Sequence, residues 1–94
     1  MSELYDFVAS VSGRLGIPPE ILSGYPVIEL TGDSAIMIEQ HRGITAYSEH
    51  EICIGVNFGS ICVSGTGLTV SGMNRNRMII YGSIESVRME RRRR

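Results

Sequence analysis

The hydrophobic positions change period about a quarter of the way along the chain. Leu4, Phe7, Val8, Val11 and Leu15 fall at i, i+3, i+4, i+7 and i+11, one apolar stripe at the helical repeat. Ser2 suits an N-cap, and Glu3 and Asp6 suit the positive end of the helix dipole. Gly16 suits a C-cap, and Pro18-Pro19 forbids continuation. The spacing predicts an amphipathic helix within residues 1–17. Its stripe packs either on the chain's own sheet or on a partner or membrane surface.

From Pro26 onward the period is two. Strands are predicted at 27–30, 35–40, 44–47, 51–56, 61–64, 68–71, 77–81 and 84–89, rich in β-branched residues. Gly, Asn, Asp and Ser fill the gaps between them. Apolar-x-apolar-x-Gly recurs at Ile28–Gly32, Ile61–Gly65, Leu68–Gly72 and Met78–Gly82. The alternation puts both apolar residues on one face, and the Gly permits a sharp turn or a positive φ. Gly43 and Gly65 are expected to be backbone requirements of this kind. The copies are irregularly spaced, which disfavours a true repeat period. The expected fold is mainly β: a short helix, then about eight short strands in an antiparallel meander, curled into a sandwich or partial barrel. A short β-solenoid is the alternative. No Pro or Lys guards the late strands, so their edges are open to self-association or strand addition.

With 94 residues there is room for one domain. Hydrophobic content of 43% and charged content of 20% exclude wholesale disorder. No stretch approaches the ~18 apolar residues of a spanning helix, and the acidic start lacks the basic region of a signal peptide. A cytosolic location is therefore expected, with Cys53 and Cys62 as reduced, small apolar strand residues; a disulfide or redox role is the alternative. Charge is uneven. Residues 1–87 hold four Arg against nine Asp and Glu, whereas residues 88–94 hold five Arg against one Glu, and there is no Lys. An acidic body disfavours nucleic acid as a partner. The basic segment 90–94 reads either as a solvated end or as a contact for an anionic surface through Arg91, Arg92, Arg93 and Arg94.

The order Pro26-Val-Ile-Glu-Leu-Thr-Gly32, Ile36-Met-Ile-Glu-Gln-His-Arg-Gly-Ile44, Tyr47, Gly59–Gly65 and Gly82-Ser-Ile84 resembles the YabP/YqfC family of sporulation proteins in endospore-forming bacteria. The likeness covers about residues 24–89. Its most specific part is Glu39 to Tyr47, which is similar to that family's Glu-Asn-His-Lys-Gly-Ile stretch and following Tyr. Gln40 and Arg42 replace Asn and Lys with residues of the same chemical type. Length and the helix-first start resemble the YqfC branch. The resemblance implies a role in spore formation in the mother cell, no enzymatic activity, no cofactor and a membrane-protein companion, with peripheral attachment to a membrane.

Chemistry-bearing clusters are sparse. Glu39 and His41 share a strand face, and with His50 they could hold a metal ion or ligand. Otherwise they are strand-end polar groups satisfied by turn backbone. No nucleophile elbow is present and no Lys completes a phosphate-binding loop. Glu39, Gln40, His41, Arg42, Gly43 and Tyr47 thus form the candidate interaction loop. Its bland alternative is a tight turn in which Gly43 takes positive φ and His41 hydrogen-bonds the loop.

Overall fold

A computed structural model describes Gly16 and residues 24–92. The helix expected within residues 1–17 lies outside them apart from Gly16, as do Arg93 and Arg94. Among the described residues there are six strands and no helix: β1 (Val27–Thr31), β2 (Ala35–Glu39), β3 (Ile44–Tyr47), β4 (Glu51–Val56), β5 (Gly59–Ser71) and β6 (Arg77–Arg91). They form one antiparallel sheet in the order β1-β2-β6-β5-β4-β3. Strands β3 to β6 make a meander, and the β1–β2 hairpin adds to the start of β6. Among the described residues β1 and β3 are the edges and do not pair with each other, so the sheet is not closed. Antiparallel pairing throughout rules out the solenoid alternative.

Eight expected strands become six because two glycine-rich stretches bend strands instead of ending them. Gly65-Thr66-Gly67 lies within β5, where the register against β6 shifts between Ser64 and Gly65 and again between Thr66 and Thr69. Gly82-Ser83 lies within β6, and Gly82 takes φ 143°. Bulges of this kind bend a strand without breaking its pairing. Gly43 has the expected positive φ, 103°. Gly65 does not; its requirement is space, since a Cβ there would collide with the Ser83 carbonyl of β6.

The bends fold the two arms of the sheet over one core. Ile36 and Ile38 of β2 and Met78 and Ile80 of β6 come from one arm; Ile52, Ile54 and Val56 of β4 and Ile61 and Val63 of β5 come from the other. All belong to a single buried cluster with Leu68. Each fully buried aliphatic side chain contributes about 1.5–3 kcal/mol. Loop carbonyls cover the bends. Gly65 N–H donates to His50 O at 3.0 Å and Leu68 N–H to Glu49 O at 2.9 Å; Gly82 N–H donates to Ser34 O at 3.1 Å and Ile84 N–H to Asp33 O at 2.8 Å. β6 continues to Arg91, beyond its expected end at 89.

Candidate functional site

Glu39 to Tyr47 is the crossover from β2, in one arm, to β3, in the other. The reversal begins at Gln40, the one described non-glycine residue with positive φ, 65°, a conformation that amide side chains tolerate better than most. Gln40 N–H donates to Asn76 O at 2.6 Å, tying the crossover to the β5–β6 loop. Arg42 N–H donates to Gly55 O at 2.7 Å and Gly55 N–H returns a bond to Gly43 O at 2.8 Å, tying the other end to β4.

His41 lies between these two ties and is 9% exposed. Gly43 N–H donates to its Nδ1 at 3.0 Å, and its Nε2 stands 3.0 Å from Asn74 O. A backbone donor at Nδ1 makes that nitrogen the acceptor, which puts the ring proton on Nε2, where it bonds the Asn74 carbonyl. Both ring nitrogens are engaged. Asn74 is itself fixed, because its Oδ1 accepts from Asn76 N–H and Arg77 N–H, both at 2.9 Å. Glu39 is held as well: Arg77 donates to its Oε2 from Nε at 3.0 Å and Nη2 at 2.8 Å. Asn74 and Arg77 are the hydrogen-bonding partners that sequence reasoning missed, since they lie 33 and 38 residues away.

Two motif residues, Arg42 and Tyr47, face outward. The Arg42 side chain is exposed, and Tyr47, at the end of edge strand β3, is 57% exposed. The alternative metal- or ligand-binding trio of Glu39, His41 and His50 is not among the donor groups gathered in the described residues. His50 is an exposed loop residue whose Nε2 lies 4.0 Å from Glu49 Oε2, and among the described residues the only gathered group of three potential metal donors is Glu51, Cys53 and Cys62.

Cys53 and Cys62, expected to be reduced, are joined by a disulfide. The register explains it. Cys53 precedes Asn57 and Cys62 follows Phe58 by the same interval, so the two stand directly opposite each other on β4 and β5. Their Cα atoms are 4.1 Å apart, the close spacing of a non-hydrogen-bonded pair. Beside them, Arg88 donates from Nε to Glu90 at 2.8 Å and from Nη2 to Glu51 at 3.3 Å. These bonds, that to Glu90 first, hold its guanidinium above the usual arginine pKa.

Arg91 and Arg92, the described part of the basic end, are exposed. Arg91 is the last residue of β6, and its guanidinium lies 5.4 Å from the Phe58 ring centroid. Arg92 N–H donates to Phe58 O at 2.9 Å. Phe58 in turn packs at the core and meets Tyr25, with ring centroids 6.1 Å apart. No helix among the described residues is long and apolar enough to cross a membrane.

Comparison with known proteins agrees with the motif. The model of the YabP family matches residues 25–94. The uncharacterized protein YqfC of Bacillus subtilis (strain 168) is 31% identical over 80 residues, covering 85% of this chain and 86% of that protein. No solved structure matches the chain.

Proposed function

The chain belongs to the YabP family, and from that premise we propose that it acts in spore formation as a non-catalytic interaction module. The observation that carries this reading is the division of labour within Glu39–Tyr47. The inward groups, Glu39 and His41, have structural partners inside the chain. The outward groups, Arg42 and Tyr47, stand exposed at edge strand β3, one side of which is unpaired among the described residues. That combination suits strand addition: main-chain bonds along the free edge supply affinity, and the flanking side chains choose the partner. β1, with exposed Leu30, offers a second edge suited to self-association.

The partner we propose is a membrane protein met at the cytosolic face of the mother cell, with the basic end adding attraction to an anionic surface. Among the described residues no carboxylate pairs with Arg91 or Arg92, which leaves their charge for an external anion. Complementation tests the reading. Deleting the gene in an endospore-forming host should lower the yield of heat-resistant spores. A chain carrying Arg42→Gln and Tyr47→Ser should fold yet fail to restore it. Full restoration by that variant, or an unchanged spore yield on deletion, contradicts the proposal.

A further inference from the structure

The outer face of the β4–β5 hairpin gathers three donors that the crossover does not use. Glu51 and Cys53 are two apart on β4 and so share a face, and Cys62 is directly opposite Cys53 on β5. One carboxylate oxygen and the two sulfurs all lie within 4.8 Å of one another. Cys62 is 2% exposed, and Glu51 is half-buried. We propose that the reduced hairpin binds one thiophilic divalent cation, zinc(II) being the type, through Cys53 Sγ, Cys62 Sγ and the Glu51 carboxylate, with water completing the shell, and that the disulfide is its metal-free form.

The donor set fits. Two thiolates and a carboxylate are zinc ligands, and bonds of about 2.3 Å to sulfur and about 2.1 Å to oxygen in a tetrahedron place the donors about 3.6–3.8 Å apart. Three donors already within 4.8 Å reach those separations by side-chain rotation on fixed strands. The strands need not move, because the Asn57-Phe58 turn and the β4–β5 ladder hold them independently of sulfur. Arg88 bonds Glu51 through one nitrogen only, and its closer bond is to Glu90. It can therefore remain on Glu90 while Glu51 turns to the ion.

The change of form balances through a dithiol reductant. Two electrons and two protons pass to the Cys53–Cys62 bond, giving two thiols, and the reductant leaves as its own disulfide. Binding the cation then releases both thiol protons.

Cobalt(II) titration of the full chain tests the site, with the protein reduced by a non-chelating phosphine under anaerobic conditions. The expected result is a thiolate-to-cobalt charge-transfer band that saturates at one equivalent and is displaced by zinc(II). Cys53→Ser and Cys62→Ser should each weaken binding at least tenfold, as should Glu51→Gln with the band retained, since even supporting groups around a metal contribute about 10–100-fold. The diamide-oxidised chain should show no band. A reduced chain without the band, or an oxidised chain that binds equally, overturns the proposal. Circular dichroism keeps the test decisive: if a Ser variant loses its β signature, the reduced-against-oxidised comparison and Glu51→Gln decide the question.

Discussion

His41 is the residue on which the crossover turns. It is nearly buried, and it presents an acceptor to Gly43 N–H and a donor to Asn74 O. Removing the ring leaves the N–H of half-buried Gly43 without its acceptor, while the carbonyl of exposed Asn74 can turn to water; an unsatisfied buried group costs about 1–3 kcal/mol. His41→Ala is therefore expected to lose roughly 2 kcal/mol in denaturant unfolding. His41→Asn, whose carbonyl can still accept from Gly43, should lose less. An unchanged midpoint for His41→Ala would contradict the role. Two glycines make a second pair. A Cβ at Gly32 meets nothing within 4 Å, although φ is 56°, so Gly32→Ala carries only the left-handed penalty of about 1–2 kcal/mol. A Cβ at Gly65 meets the β6 backbone, which cannot yield as a side chain can. Gly65→Ala should melt at a clearly lower temperature than Gly32→Ala; the reverse order would show that β5 and β6 do not approach as described.

Among the elements, the short early strands were readable and the long late ones were not. β1 to β4 follow the alternation to within a residue, because each carries its own apolar pattern and a local turn. β5 and β6 do not, because Gly65-Thr66-Gly67 and Gly82-Ser83 look like turns in isolation. Only their mutual register makes them bends. The same limit applied to the site. The motif and the positive φ of Gly43 were legible, but the Asn74 and Arg77 contacts need two loops to meet. The cysteine pair was legible in principle, since both residues are equally spaced about Asn57-Phe58; reading each as a lone apolar strand residue hid the pairing. One prediction belongs to this hairpin. The disulfide joins residues at a sequence separation of 9, which a turn and a ladder already hold together. Reduction should therefore cost less than the ~3 kcal/mol of chain entropy that a loop of about 15 residues would give. The reduced chain is expected to keep its β circular dichroism. Cooperative unfolding on adding reductant at about 25 °C would contradict this.

At the scale of the whole molecule, the described residues form a bent, open sheet with β1 and β3 at its edges, the sequence joins an acidic body to a basic end, and the proposed work lies at those edges and that end. Replacing Arg92, Arg93 and Arg94 by Gln leaves β6 and the Arg91–Phe58 contact in place. It should reduce binding to anionic vesicles by about 1 kcal/mol per charge at low salt, with the difference vanishing as salt screens the surface. Equal binding by both chains at every salt concentration would show that these arginines are only solvated. The central claim is that the crossover presents edge strand β3 and Tyr47 to a membrane-bound partner. Site-specific photo-crosslinking in sporulating cells tests it most directly, with the reactive group at Tyr47 and, as a control, at Thr69, an exposed residue in the other arm. The expected result is a discrete adduct in the membrane fraction from Tyr47 and none from Thr69; no adduct from Tyr47, or the same adduct from both, contradicts the account.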